Sequence, residues 1–414
     1  MHYKYIGKII PWILLAITLA SGSGCSNAEK NVAAPKEAED DSTRILTSTN
    51  IQDVDLLKTY PEKKITIDDI ADIRYIPLET NEESVIGFAR KVSFGDDKIF
   101  VYDGRGDQIL IFDKDGKYLS KINRKDAGPH GYNKITDMTV DFDSQLVYIM
   151  DLSFPRKLKA YDFDGYRQKE FTIPNEPSIN QMTMFNSDKI IFHCQPSGGL
   201  NTEEVIGTHP YRWIDTRTGA VTPVDIEIEH PESSTYTVID GNHARMTSIE
   251  MYPLLKTGKS VVLADYTYPT VYQSDGKNFK PLFTKPEGKK SATGKIPMST
   301  VWAMSDRYIL FFVTEKSLNK NTDSIEQDGT RALLYDRKTG EIIDPDWNRR
   351  DVKGGSMMME WNWEMPENTF VTTYSSSTLK MLDEKGRLSG RLKEIADSID
   401  EEANDVLVLM KMKK

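Results

Sequence analysis

Arg124, His130 and Tyr132 bracket the segment Gly128-Pro-His-Gly131. They set a guanidinium, an imidazole and a phenol beside backbone N–H groups that can meet an anionic or polar ligand. The same stretch also suits a plain connector. A second polar cluster, Gly241-Asn-His-Ala-Arg245, offers His243 and Arg245 to the mouth of a channel or to a solvated loop. In Met357-Met-Met-Glu-Trp-Asn-Trp363, alternation puts Met357, Met359, Trp361 and Trp363 on one strand face. Burial accounts for such a face as well as a binding surface for sugars, peptides or a protein does. Asp137, Asn180 and His243 are donors of the kind that could converge on a divalent metal inside a central channel.

Other constellations fail on their mechanics. The histidines His2, His130, His193, His209, His230 and His243 include no pair at the helical spacing of a His-Glu-x-x-His zinc site, and no Gly-x-Ser-x-Gly elbow occurs. Thr257-Gly-Lys-Ser260 is similar to the end of a phosphate loop, but Pro253 stands where the first glycine belongs. It reads as a turn before the strand Val261 to Ala264. Asp113-x-Asp115-Gly116 and Asp162-x-Asp164-Gly165 lack the glutamate that closes a calcium loop and read as hairpin turns.

The elements that must carry these residues come from an internal repeat. Lys98-Ile-Phe-Val-Tyr-Asp103, Gln108-Ile-Leu-Ile-Phe-Asp113 and Lys114-Asp-Gly116 give two strands and a tight turn. The unit returns at Leu146 to Asp151 with Leu158 to Asp162, at Ile190 to His193 with Tyr211 to Asp215, and at Val261 to Asp265 with Thr270 to Gln273. Tyr308 to Phe312 with Ala332 to Asp336, and Thr369 to Thr373 with Leu379 to Asp383, complete six copies. Their turn positions recur at roughly 47 to 63 residues, the period of a propeller blade. The expected fold class is all-β, a six-bladed β-propeller spanning residues 60–414. Ile73 to Leu78 and Asp405 to Met410 fall outside the count and are expected to complete the sixth blade, with a helical excursion over Leu392 to Ala403.

Ahead of the repeat, Lys4 and Lys8 precede an apolar run from Ile9 to Ala20, then small residues and Cys25. That order is a secretory leader over residues 1–24, and the run is shorter than the roughly 20 residues of a membrane span. Residues 25–59 are polar and poor in aromatics, which reads as a disordered tether. The net charge of −10 becomes about −12 once Lys4 and Lys8 leave, which argues against a nucleic-acid partner. Cys194, the only other cysteine, is expected as a buried strand residue.

Gly22 to Cys25 resembles the lipobox of bacterial lipoproteins, with Gly22 where an aliphatic residue usually stands. Acylation of Cys25 is what the resemblance implies, and ordinary leader cleavage is the alternative. Tyr75-Ile-Pro-Leu-Glu-Thr80, Ile99 to Asp103, Ile109 to Gly116 and Ala127-Gly-Pro-His-Gly-Tyr132 resemble the envelope lipoproteins of Bacteroides type with a TolB-like or NHL-like six-bladed propeller. In that family the loop usually reads Gly-Pro-Gly-Glu-Tyr; His130 and Gly131 replace the Gly and Glu here. The resemblance implies a fold and a place in the cell envelope, at the outer membrane or periplasmic face, held to the membrane through N-terminal lipid. Without a catalytic constellation the expected function is a non-enzymatic binding module for a carbohydrate, a peptide or an envelope protein. The alternative is a metal-dependent propeller hydrolase or lyase with its site in the channel.

Overall fold

The computed structural model describes residues 52–153, 155–173, 178–195, 208–229, 231–240, 243–319, 321, 324–354 and 358–414. The expected leader, Cys25 and most of the expected tether lie outside them. Strands β1 (Gln52–Asp53) and β2 (Glu62–Thr66) and the single turn α1 (Ile67–Ile70) lead into β3 (Ala71–Pro77). Antiparallel meanders follow: β4 (Ala89–Phe94), β5 (Lys98–Asp103), β6 (Gln108–Asp113) and β7 (Tyr118–Ile122); then β8 (Ile135–Asp141), β9 (Leu146–Asp151), β10 (Arg156–Asp162) and β11 (Arg167–Ile173). The third is β12 (Ser178–Asn186), β13 (Lys189–Gln195), β14 (Tyr211–Asp215) and β15 (Val221–Pro223). A separate hairpin, β16 (Thr235–Asp240) with β17 (His243–Ser248), precedes β18 (Leu254–Thr257), β19 (Ser260–Leu263), β20 (Thr270–Ser274) and β21 (Phe279–Thr284). The fifth meander is β22 (Ile296–Met304), β23 (Tyr308–Asn319), β24 (Ser324–Asp336) and β25 (Ile342–Asn348). The chain ends with β26 (Glu364–Met365), β27 (Thr369–Tyr374), α2 (Ser376–Glu384), α3 (Gly390–Ser398) and β28 (Val406–Met412).

This is an all-β, propeller-like build, and the repeat has a chemical cause. Asp113, Asp162, Asp215 and Asp336 each turn a carboxylate oxygen back onto following backbone N–H groups, as Asp113 does to Asp115 at 2.9 Å and Lys117 at 2.9 Å. The glycines that end these turns, Gly116, Gly165, Gly219 and Gly340, take the left-handed φ that a side chain resists. The Asp-x-Asp-Gly stretches are thus hairpin turns. A second aspartate set ends the second strands: Asp103 accepts from Gly87, Phe88 and Arg105, and Asp151 from Asn133 and Lys134, pinning the loop that enters each meander. In the first two meanders the second strand is nearly continuously buried, while β7 is open to solvent over most of its length and β11 alternates, as a middle strand between packed layers and an outer strand should.

The two chain ends meet in one sheet. β28 lies between β27 and β3, with Ala71 opposite Met412 and Pro77 opposite Val406. Buried Asn404 locks the junction: its side chain donates to Glu79 O at 2.9 Å and Ser84 O at 2.7 Å and accepts from Ile86 N at 2.8 Å. Arg349 packs between the rings of Tyr75 and Tyr374, 5.4 Å from each, and pairs with Asp351 at 3.0 Å.

Three expectations shift. Leu379 to Asp383 is helix, within α2, because Ser375 caps the Thr378 N–H and Leu379 and Leu382 bury one helical face where a strand would alternate. The later helix runs Gly390–Ser398 and stops before Ala403. Packing begins ahead of residue 60, since β1 pairs in parallel with β21 and Val54 and Leu56 are buried in the main core. Cys194 is buried in β13, as expected.

Candidate functional site

Charged and hydroxylic side chains gather where β4, β8, β12 and β26 approach one another. β26 lies parallel between β18 and β4, with Glu364 opposite both Lys256 and Ser93. The Lys91 ammonium is 3.2 Å from Asp137 and 3.9 Å from Glu364 and donates to Met182 O at 2.6 Å. Asp137 also accepts from the Met182 and Met138 N–H groups at 2.6 and 2.9 Å. Glu364 accepts from Ser93 at 2.6 Å, Thr139 at 2.5 Å and Thr183 at 2.8 Å. Gln181 closes the ring onto β18, exchanging bonds with Leu254 O and N at 2.6 and 2.9 Å. Burial pushes the Asp137 carboxyl upward, against the pull of Lys91 and the two N–H donors. Burial also lowers the Lys256 ammonium to about 8; it donates to Met184 O at 2.8 Å. Buried charges satisfied in this way hold neighbouring sheets in register.

Because β18, β26 and β4 run parallel, the residues just before this level share one end: Tyr252, the Glu360-Trp361 pair and Arg90. Trp361 stacks on Trp302 at 4.6 Å with 16° between the planes, meets Phe312 edge-on at 5.0 Å and lies 6.1 Å from Tyr252. Trp361 and Tyr252 keep part of their surface open. The Glu360 carboxylate accepts from Thr373 at 2.5 Å; burial first, then Asp405 and Glu250, push it upward. Burial raises Asp405 too, and it raises the Tyr252 phenol to about 12 with help from Glu250.

The sequence candidates part company here. Asp137 is the centre of the buried network, engaged by Lys91. Trp361 lies at that shared end with part of its surface open, but Trp363 is buried against Phe94, because Asn362 takes φ +61° and turns the two indoles away from a shared face. Met357 lies outside the described residues. Tyr132 is buried with its hydroxyl donating to Asp107 O at 2.8 Å, and Arg124 donates to Gly165 O at 2.8 Å. His130 is exposed at the end of the short 3-10 turn Gly128–His130, while the Gly131 and Ala127 N–H groups bond within the loop. This loop joins two meanders and turns the N–H groups of Asp126, Ala127, Gly131 and Tyr132 onto its own carbonyls. His243 and Arg245 fall in β17, and their side chains, like that of Asn180, lie outside the described residues. Thr257 and Ser260 pair across the β18–β19 turn.

Sequence reasoning missed Lys91, Glu364, Glu360 and Tyr252. It also missed a buried pair in which His193 Nε2 is 3.8 Å from Asp265, beside Lys285, whose ammonium burial lowers to about 8. Among the described residues, no group of three or more His, Cys, Asp or Glu side chains is placed to hold a metal ion, and no helix is long and apolar enough to cross a membrane.

Antiparallel meanders set around a satisfied polar centre, with aromatics at one end of it, define an all-β protein of propeller-like build. The chain belongs to the family described as Domain of unknown function (DUF4934), which matches residues 51–411. A solved Bacteroides fragilis protein, described as exported, shares its fold at 14% identity over 88% of this chain and 100% of its own, with a TM-score of 0.60. A DUF4221 family member from Bacteroides vulgatus is 12% identical over 83% of this chain and 97% of its own, with a TM-score of 0.44. The Myceliophteria thermophila Cps50 (Swd1) β-propeller domain is 11% identical over 70% and 95%, at 0.33. No curated protein sequence matches the chain.

Proposed function

We propose that the chain is a lipid-anchored envelope protein whose six-bladed propeller binds a ligand at the mouth around Trp361 and catalyses no reaction. Five meanders supply five blades. The sheet of β27, β28 and β3 supplies the sixth, with the segment before β26 on its inner side, where Glu360 N donates to Val371 O at 2.9 Å. On this reading Cys25 carries the lipid, the polar stretch after it is the tether, and the domain stands at the outer membrane or periplasmic face. An exported Bacteroides protein of the same fold is in keeping with that location.

One observation carries the binding reading: Trp361 presents a partly open indole, backed by Trp302, at an end of the molecule where several inner strands begin. The charges beneath it are engaged in the buried hydrogen-bond network. Carbohydrates, peptides and envelope proteins are the ligands to screen against the full mature chain, by indole fluorescence and thermal shift. Binding that disappears in Trp361→Ala is the expected result. Binding that ignores Trp361, or a stoichiometric metal with hydrolytic turnover, would overturn the reading. Fatty-acid labelling that persists in Cys25→Ser would overturn the anchor.

A further inference from the structure

The mouth carries three carboxylates that form no ion pair among the described residues. Glu250 is exposed, and Glu360 and Asp405 are partly buried. Glu360 directly precedes Trp361 and accepts from Thr373, Asp405 directly precedes Val406, the cross-strand partner of Tyr374, and Glu250 stands two residues before Tyr252, so the three gather around one end. Asp405 and Glu250 both push Glu360 upward. Arg90 reaches the surroundings of Tyr252 but forms no ion pair with these carboxylates. Beside them stand the Trp361 and Tyr252 rings, 6.1 Å apart and partly open, with Trp302 and Phe312 fixing the Trp361 plane from behind. Aromatic faces and carboxylates attract the same species, a weakly hydrated organic cation; a ring quadrupole draws it by face and a carboxylate by charge. Met358, shortly before Glu360, is 60% exposed and offers apolar surface to an alkyl chain attached to that cation.

We infer that the mouth formed by Tyr252, Trp361, Glu250, Glu360 and Asp405 binds an organic ammonium group, as carried by an alkylamine or a lysine-containing peptide. The inference rests on the binding reading above and narrows its ligand. A neutral sugar can donate its hydroxyls to these carboxylates but offers them no counter-charge, and an anionic ligand is repelled by them.

The test sets a cation against its neutral isostere on the full mature chain at low ionic strength: choline against 3,3-dimethylbutan-1-ol, and N-acetyl-lysine methylamide against its norleucine counterpart. Calorimetry and indole fluorescence give the affinities. The cation of each pair should bind at least about tenfold more tightly, a preference of about 1.4 kcal/mol. Glu360→Gln should shrink that ratio while leaving the fold intact, and Trp361→Leu should weaken the cation while keeping an apolar side chain in place. Equal affinity for cation and isostere, or no cation binding at all, would overturn the inference. A Trp361-dependent sugar found in the same screen would then leave the binding reading standing, and no Trp361-dependent ligand of any kind would remove both.

Discussion

Residues 358–365 hold two contrasting regions. At Glu364 the chain enters the centre, where three hydroxyls and the Lys91 ammonium surround one carboxylate. At Glu360, a turn earlier in the same segment, the carboxylate has Thr373 and two acidic neighbours, and no cation. Both are withdrawn from water, so both carry a desolvation cost. The centre offsets it with internal partners, while the mouth leaves it standing, which is the arrangement expected where a ligand is to supply the partner.

Breaking the centre should have the largest effect. Lys91→Met leaves Asp137 buried beside Glu364 without a counter-charge, and urea unfolding should lose about 3–5 kcal/mol; adding Asp137→Asn should restore part of it. A loss below about 1 kcal/mol would mean that the centre is wet and the contrast false. At the closing junction, Asn404→Leu strands the Ile86 N–H and the Glu79 and Ser84 carbonyls, and should lose about 2–3 kcal/mol.

At the mouth the sign reverses. Glu360 has a folded-state value above its ordinary one, so it holds its proton more tightly when folded. Its contribution to stability is present below the ordinary glutamate range and falls as pH rises through the folded value. Glu360→Gln should therefore flatten the loss on the alkaline side and leave the protein unchanged or up to about 1 kcal/mol more stable at pH 8. Pronounced destabilisation instead would place Glu360 with the structural charges. A further effect appears only at alkaline pH and belongs to Lys256. Its folded value of about 8 lies below the ordinary 10.5, so stability should rise between those pH values, and Lys256→Met should remove that rise.

What could be read from the sequence was what is local. The aspartate turns announce themselves within a few residues because the carboxylate that makes each turn is part of it. Strands buried on both sides, such as β5 and β9, announce themselves by unbroken apolar runs. Leu379 to Asp383 misled because a short apolar stretch fits a strand or a helix, and the Ser375 cap decides for helix. The centre was illegible for another reason: Ser93 and Glu364 stand 271 residues apart, and nothing local marks either as a partner of the other. Asp137 was picked out as a possible metal donor, yet its engagement by Lys91 depends on how the sheets meet. The Met-Trp stretch was read correctly as aromatic and wrongly as one face, because a single left-handed residue at Asn362 changes which indole stays open.

The pairing of β3 with β28 also bears on the order in which the chain can fold. The Asn404 N–H bonds to Thr80 across 324 residues, so the closing sheet cannot form until almost the whole polypeptide is available. A contact of such long range is slow to form, because loop closure must be met before any pairing rewards it. A chain whose C-terminal strand is not yet available therefore keeps this joint open.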